Sequence, residues 1–211
     1  MNKIVIIDYC DTLFKGQSLQ LYIEYLYSKI RPKSISNYFH RILLKFPISN
    51  DNYKNFAFRG ISGTSKDNIE KLSLEFYENI LKKKHNIVIE NIMYKHLKDN
   101  DKLIIVSGGC LEYLKHLSKD YILDTVIGTE LKYNNSNRLI GIKFPECLSE
   151  NKVIYIQKYF NSLNLGWDNT ILYTDSQTDL PLLYMVNEGI VVGYSDTIPE
   201  WGENIFKYLK I

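Results

Sequence analysis

The 211-residue sequence has few cysteines and histidines and no excess of charge of one sign. Its three cysteines, Cys10, Cys110 and Cys147, have no paired spacing, which argues against a disulfide framework and for a reducing, cytoplasmic location. The four histidines lie far apart, with no second zinc-type ligand nearby, so we expect no zinc site. With 26 basic and 24 acidic residues, the net charge of +2 predicts binding neither to nucleic acid nor to a membrane surface.

Long apolar runs are also missing. The N-terminal run at residues 4–7 stops at Asp8. It is too short for a signal peptide, or for a membrane span of about 20 residues. We expect it to form a short first β-strand. The sequence contains no internal repeat or low-complexity linker, and its length suits one compact domain that carries a sizeable insertion.

Four short runs of β-branched and apolar residues, each ending at a polar turn, predict buried parallel strands. They occupy residues 3–7, 102–106, 170–173 and 189–192. Helical patterns lie between them, at residues 111–117, 151–163 and 179–185. This alternation predicts a parallel sheet with helices on both faces, whose ligands bind beyond the carboxyl ends of the strands.

The segment between the first two predicted strands differs, because it has amphipathic helical patterns and no convincing buried strand. Apolar residues from Leu19 to Ile30 follow the spacing of one helical face. A later helix, with its apolar face from Ile69 to Ile80, has Thr64 or Ser65 as its N-cap. We interpret residues 16–87 as a helical cap over the site, and residues 1–15 and 88–211 as the core.

A hairpin is predicted for residues 129–141. Apolar and aromatic residues at 131, 133, 139 and 140 flank the turn-prone residues 134–137. We expect this hairpin to have a structural role.

Polar groups follow three of the predicted strands. Asp8 ends the first, Ser107 with two glycines ends the second, and Asp175 follows the third, with Asp179 four residues later. A carboxylate such as Asp8 can attack phosphorus or bind a metal, and two further aspartates supply the oxygen ligands that Mg²⁺ prefers.

Hydrogen-bond donors and a cation complete the set. Ser107 and the amides of Gly108 and Gly109 can donate to phosphate oxygens at a helix N-terminus. Lys152 can neutralise the transferring group and keep Asp8 ionised. Taken singly, each residue is more often a turn former, an N-cap or an exposed lysine. Together, in this order, they predict a phosphoryl-transfer site.

The segments Asp8-x-x-x-Thr12-Leu13, Ser107-Gly108-Gly109, Lys152 and Asp175-Ser176-x-x-Asp179 resemble the four motifs of the haloacid dehalogenase (HAD) superfamily. Residues 129–131 with Gly141, residues 147–152 and residues 58–62 extend the resemblance to its phosphoserine-phosphatase-like branch. The likeness covers all but the C-terminal part of the chain. It implies a Rossmann-like core, a helical cap inserted after the first strand, dependence on Mg²⁺ and an aspartyl-phosphate intermediate.

The resemblance also implies roles by position. Asp8 would be the nucleophile, and Lys152 would hold the intermediate. Phosphate would be bound by Ser107, Gly108 and Lys152, and the metal by Asp8, Asp175, Asp179 and the backbone carbonyl of Cys10. The predicted substrate contacts are Arg59 and Gly109.

One position departs from the family pattern. Phosphatases of this family usually have a second aspartate two residues after the nucleophile, as general acid and then base, whereas this chain has Cys10 there and Asp11 one step later. General acid–base catalysis contributes about 10²–10⁴-fold. Three interpretations stay open: Asp11 is the substitute base, the substrate supplies its own proton relay or a good leaving group, or the chain is a phosphotransferase or an impaired phosphate-binding partner protein.

The sequence therefore predicts a cytoplasmic, Mg²⁺-dependent phosphomonoester hydrolase. Its expected substrate is a small phosphorylated metabolite, such as an amino-alcohol phosphate, phosphoserine or a sugar-linked phosphate. The variant first motif is similar to that of HAD proteins associated with bacterial surface-polysaccharide assembly. A dehalogenase is less favoured, because Asp175 and Asp179 keep a metal-site character that such enzymes do not need. The sequence does not predict the oligomeric state.

Overall fold

The fold is built on two sheets. The computed structural model describes residues 2–43, 53–203 and 206–211. Its strands are β1 (Ile4–Asp8), β2 (Lys102–Cys110), β3 (Thr125–Thr129), β4 (Leu131–Tyr133), β5 (Leu139–Ile142), β6 (Thr170–Thr174), β7 (Glu188–Gly193) and β8 (Lys207–Lys210). Six of them form a parallel sheet in the order β3-β2-β1-β6-β7-β8, while β4 and β5 form a separate antiparallel hairpin.

The four predicted strands and the predicted hairpin are confirmed. The main difference lies in β2, which continues through Ser107, Gly108 and Gly109 to Cys110 instead of ending at Val106. Its pairing with β3 shifts register between Val106 and Cys110, so the phosphate-binding segment is an irregular extension of the strand. The sequence patterns did not predict β3 or β8, which are short strands next to the better-marked ones.

Eight α-helices connect these strands. They are α1 (Ser18–Lys29), α2 (Ile35–Leu43), α3 (Tyr53–Arg59), α4 (Lys66–Phe76), α5 (Ile87–Lys98), α6 (Leu111–Leu114), α7 (Glu150–Ser162) and α8 (Leu180–Leu183) within the described residues. A π-helical turn (Tyr77–Leu81) and a 3₁₀ turn (Lys82–Lys84) extend α4, which shows why the apolar pattern reaches Ile80. No helix in the described ranges combines the length and the apolar character needed to cross a membrane.

The predicted helices of the insertion are confirmed at α1 and α4. The face of α1 formed by Tyr22, Ile23 and Leu26 is buried, as the spacing predicts. Helix α4 begins directly after Ser65, although the Ser65 side chain makes no capping hydrogen bond. The described parts of residues 16–87 contain helices and turns but no strand.

The insertion and one face of the sheet share a single apolar cluster. Val5 and Ile7 of β1 point into it together with Tyr22, Phe58 and Phe76 of the insertion. The Tyr22 and Phe76 rings lie 5.1 Å apart between centroids. Burying one such side chain contributes about 1.5–3 kcal/mol, so this cluster holds the helices against the sheet. The boundaries of a cap at residues 16 and 87 stay a prediction.

Candidate active site

A cavity of about 180 Å³ lies beyond the carboxyl ends of β1, β2 and β6. Most of the predicted site residues line it: Asp8, Cys10, Ser107, Gly108, Gly109, Lys152 and Asp175. These residues come from distant parts of the chain, and the parallel pairing of β1 with β2 and β6 brings them to one edge of the sheet.

Lys152 bridges two buried carboxylates at the floor of the site. It lies in the first turn of α7, and its Nζ donates to Asp8 Oδ1 at 2.8 Å. The same Nζ donates to Asp179 Oδ2 at 2.8 Å and lies 2.7 Å from Asp179 Oδ1. Asp179 Oδ2 also accepts from Thr174 Oγ1 at 2.8 Å. All three charged residues are buried, so the single ammonium of Lys152 faces two carboxylates away from water.

When its three side chains are ionised, this triad carries an excess of negative charge. Burial, together with Asp179 and Asp175, raises the pKa of Asp8 to about 7, against the lowering effect of Lys152. Burial alone would lower the pKa of Lys152, but the two carboxylates raise it above its ordinary value. Lys152 is therefore fully charged at neutral pH, while Asp8 is poised between its two protonation states in the absence of any further cation.

Asp175 is held at the same edge by Thr12. The Thr12 hydroxyl donates to Asp175 Oδ1 at 3.0 Å, and the Asp175 amide lies 3.1 Å from Thr12 Oγ1. Burial raises the pKa of Asp175 to about 6, with smaller contributions from neighbouring aspartates. The threonine of the first segment thus fixes an aspartate of the fourth.

The phosphate-binding segment depends on two glycines. The Gly109 amide donates to Ser107 Oγ at 3.0 Å. A side chain at Gly108 would collide with Leu148, and one at Gly109 would collide with the Tyr113 hydroxyl. Only glycine therefore fits at these positions without movement of the neighbouring side chains, and the backbone stays open to the cavity.

Lys54 is the site residue that sequence reasoning missed. It lies in α3 of the insertion, is buried, and lines the cavity. Its Nζ donates to the Gly108 carbonyl at 2.7 Å and forms an ion pair with Glu146 at 2.6 Å. Thr129 Oγ1 donates to the same carbonyl at 3.1 Å. No local pattern distinguishes Lys54 from the other lysines, because packing of the insertion brings it to the site.

Cys10 lines the cavity at the end of a short polar chain. Its Sγ lies 3.0 Å from Ser18 Oγ, which lies 2.8 Å from the Tyr113 hydroxyl. Burial raises the pKa of the Cys10 thiol to about 11, and the charge of Asp8 acts in the same direction. The thiol is therefore protonated at neutral pH and is not a nucleophile there.

Asp11 does not line the cavity. Its backbone has a positive φ of 53°, and its Oδ2 accepts from Gln17 Nε2 at 2.6 Å. Asp11 is next to the site in sequence, but its carboxylate is held by Gln17. Its predicted role as a base stays a prediction, and it requires this contact to break.

Arg59 does not line the cavity either, so its predicted contact with the substrate stays a prediction. It is exposed and lines a separate shallow depression with Ser36, His40, Ser62 and Ile140. The next residue, Gly60, is buried, and its carbonyl accepts from Arg41 Nε at 3.0 Å. The loop at residues 60–63 thus belongs to the packing of the insertion, and Lys54 is the basic residue that the insertion contributes to the site.

A magnesium ion fits the donor set at the cavity. Within the described ranges no three histidine, cysteine or acidic side chains form a metal cluster. Mg²⁺ does not require one, because it commonly takes one or two carboxylates and keeps several waters. Asp8 and Asp175 are two such carboxylates, and burial, which disfavours their charged forms, is the main cause of their raised pKa values; a bound cation would offset this effect. Binding of a metal by the Cys10 carbonyl stays a prediction. Asp179 contacts Lys152 and Thr174, so its place near a metal stays a prediction.

Comparisons with known proteins agree with this fold. The curated histidinol-phosphatase of Neisseria meningitidis serogroup C (strain 8013) is 21% identical over 202 residues, which span 91% of this chain and 90% of the relative. The structure of a protein of unknown function from Bordetella pertussis Tohama I matches with a TM-score of 0.77 at 16% identity, covering 91% of this chain and 90% of that one.

A phosphoserine phosphohydrolase-like protein from Francisella tularensis subsp. tularensis SCHU S4 matches with a TM-score of 0.64 at 20% identity, covering 98% of this chain and 94% of that one. At these identities the two structural matches establish the fold alone. The family model described as haloacid dehalogenase-like hydrolase matches residues 5–184, a range that contains every residue lining the cavity. The chain belongs to the haloacid dehalogenase-like hydrolase family.

Proposed function

We propose that the protein is a Mg²⁺-dependent phosphomonoester hydrolase that acts through an aspartyl-phosphate on Asp8. The observation that supports this most strongly is the buried contact between Lys152 and Asp8 at the end of β1, facing the Ser107–Gly109 segment across one small cavity. A carboxylate paired with a fixed ammonium, beside a glycine-backed anion site, suits attack on a phosphoryl group and has no evident structural need.

In the proposed reaction, an Asp8 carboxylate oxygen attacks phosphorus and the ester oxygen leaves with its bonding electron pair. Lys152, Ser107 and the amides of the glycine segment stabilise the charge on the phosphoryl oxygens. Water then attacks phosphorus, which releases inorganic phosphate and restores the Asp8 carboxylate. Bound Mg²⁺, held by Asp8, Asp175 and the Cys10 carbonyl, would offset the negative charge of the phosphoryl group.

Proton transfer is the weakest part of this site. The Cys10 thiol has a raised pKa of about 11, and the Asp11 carboxylate is bound to Gln17. Loss of an effective general acid–base lowers the rate by about 10²–10⁴-fold. We therefore propose a slow enzyme, or one whose substrate carries a group that moves the proton itself.

The proposed substrate is a small phosphorylated metabolite. The cavity of about 180 Å³ must hold the phosphoryl group and has room for only a small leaving group. The names of the similar proteins, a histidinol-phosphatase and a phosphoserine phosphohydrolase-like protein, suggest amino-alcohol phosphates and phosphoserine as the first compounds to test. A sugar-linked phosphate, a role in surface-polysaccharide assembly and a cytoplasmic location stay predictions.

The test is phosphate release from a panel containing histidinol phosphate, phosphoserine and sugar phosphates, with and without Mg²⁺. The enzymes compared are wild type, Asp8→Asn and Asp11→Asn, and the last variant tests the predicted role of Asp11 as a base. We expect Mg²⁺-dependent release that disappears in Asp8→Asn. Adding glycerol as an acceptor separates hydrolysis from phosphotransfer, because transfer yields glycerol phosphate in place of free phosphate. Equal release by wild type and Asp8→Asn would refute the proposal.

A further inference from the structure

A second cavity, of about 300 Å³, lies outside the candidate active site. It is formed by α4, α6 and the β4–β5 hairpin with the residue that follows it. Six charged side chains line it: Lys66, Glu70, Glu112, Lys115, Glu130 and Lys143. None of them lines the active-site cavity, and the proposed hydrolysis does not use them. Three of these side chains are basic and three are acidic, and burial raises the pKa of the Glu112 carboxyl to about 7.

Two of these lysines already have carboxylate partners. Lys115 Nζ lies 3.4 Å from Glu70 Oε1, and Lys143 Nζ lies 2.5 Å from Glu130 Oε2. Lys66 differs, because its ammonium has no carboxylate partner within the described ranges. Its Nζ lies 5.9 Å from the centre of the Tyr133 ring, which also lines the cavity.

Two buried polar atoms of the cavity walls also lack a partner. Glu112 Oε1 accepts from the Leu131 amide at 3.0 Å, but Oε2 has no hydrogen bond to any described residue. The Tyr133 hydroxyl is also buried and has no hydrogen bond to any described residue. Native proteins contain few such groups, and each one calls for an explanation. Here two of them line one cavity, beside the lysine that lacks a carboxylate.

We propose that this cavity binds a small zwitterion of the amino-acid type, with its ammonium group on Glu112 and Tyr133 and its carboxylate on Lys66. The unpartnered groups are an acidic oxygen, a hydroxyl and an ammonium, and such a ligand supplies the complement of each. A simple anion would leave Glu112 unpaired, and a simple amine would leave Lys66 unpaired. This inference does not depend on the proposed hydrolase, since the two cavities share no lining residue.

Isothermal titration calorimetry on the full chain tests the proposal. The probes are a panel of free L-amino acids, with propionate and propylamine as ligands that carry only one of the two charges. All titrations use the Asp8→Asn background with EDTA, so that binding that needs Asp8 or a metal does not contribute. The variants are Glu112→Gln, Tyr133→Phe and Lys66→Met, and Lys71→Met is the matched control, because Lys71 is an exposed lysine of the same helix outside the cavity.

We expect at least one amino acid to bind, about tenfold more weakly in Glu112→Gln and in Lys66→Met, and unchanged in Lys71→Met. The glutamine keeps an acceptor for the Leu131 amide but puts a donor where the ligand's ammonium would bind. Tyr133→Phe removes only an unbonded hydroxyl, so it tests the site even if Glu112→Gln fails to fold. The proposal is overturned if no amino acid binds at millimolar concentration, if propionate or propylamine binds equally well, or if the folded cavity variants bind as wild type does.

Discussion

Replacing Asp8 with asparagine is expected to stabilise the protein above neutral pH, even though it removes the proposed nucleophile. The triad of Asp8, Lys152 and Asp179 is buried and carries two negative charges against one positive charge when ionised. Asparagine has the same shape and accepts a hydrogen bond from Lys152, but it leaves one cation facing one anion. The substitution therefore removes the unbalanced charge while keeping the packing.

The magnitude follows from the pKa of Asp8, which burial raises from 3.8 to about 7. Between these values Asp8 binds more protons in the folded state than in the unfolded state, so the contribution of Asp8 to stability falls as pH rises through this window. Each pH unit changes the free energy of unfolding by about 1.4 kcal/mol, which gives up to about 4 kcal/mol at pH 7 and above. Lys152 loses part of its charge stabilisation in the variant, so we expect a net gain of about 1–3 kcal/mol.

Urea denaturation followed by circular dichroism, at a series of pH values from about 4 to 8, measures this difference. EDTA must be present, because a bound metal would offset the negative charge and hide the effect. The gain in stability should be largest at pH 8 and close to zero at pH 4. At pH 4 the folded wild type has a protonated Asp8, and the variant has a neutral asparagine at that position. Asp11→Asn is the matched control, since its carboxylate is only partly buried and bonded to Gln17. An Asp8→Asn variant that is less stable than wild type at pH 8, or a gap independent of pH, would refute the reasoning.

Three further outcomes are expected. Cys10→Asp should raise the turnover number for phosphate release by about 10²-fold, because it adds a carboxylate where the thiol has a pKa of about 11; an unchanged rate would show that proton transfer is not limiting. Lys54→Met and Glu146→Gln should show a coupling of about 1–3 kcal/mol in a double-mutant cycle of unfolding free energies, because Lys54 pairs with Glu146 beside the Gly108 carbonyl. Additive effects would show that this ion pair does not stabilise the protein. Burial lowers the pKa of His85 from 6.5 to about 4, so the contribution of His85 to stability should be lost as pH falls through that window, by about 1.4 kcal/mol per pH unit. His85→Gln should make the free energy of unfolding, measured by urea titration, depend less steeply on pH. An equally steep dependence in the variant would argue against a buried neutral imidazole.

The residues at the strand ends could be predicted from sequence because their positions are encoded locally. A continuous apolar run fixes where β1 and β6 end, and parallel pairing then brings Asp8 and Asp175 to the same edge. Lys152 lies in the first turn of a well-marked helix, but its role was predicted from the order of the four segments and not from this position. The irregular end of β2 at Gly109 was less predictable, because it depends on the register shift against β3.

The contribution of the insertion could not be predicted in this way. Whether Lys54 or Arg59 reaches the cavity depends on how α3 packs against the shared apolar cluster, and both residues belong to that one helix. Sequence spacing indicates that the two side chains point in different directions, but it does not say which direction faces the sheet. The conformation of Asp11 is similarly hidden, because its positive φ turns the carboxylate toward Gln17.

The proton that the leaving alkoxide needs links the residues of the cavity to the choice of substrate. The carboxyl groups that line the cavity are Asp8 and Asp175, and the proposed roles of both require the ionised form. The Cys10 thiol, with its pKa of about 11, gives up its proton too reluctantly to protonate an alkoxide efficiently and holds it too tightly to act as a base. A leaving alcohol that carries its own ammonium group next to the ester oxygen could supply this proton itself. We therefore expect faster turnover of amino-alcohol phosphates than of simple alkyl phosphates, and this difference should shrink when Cys10→Asp supplies a carboxyl.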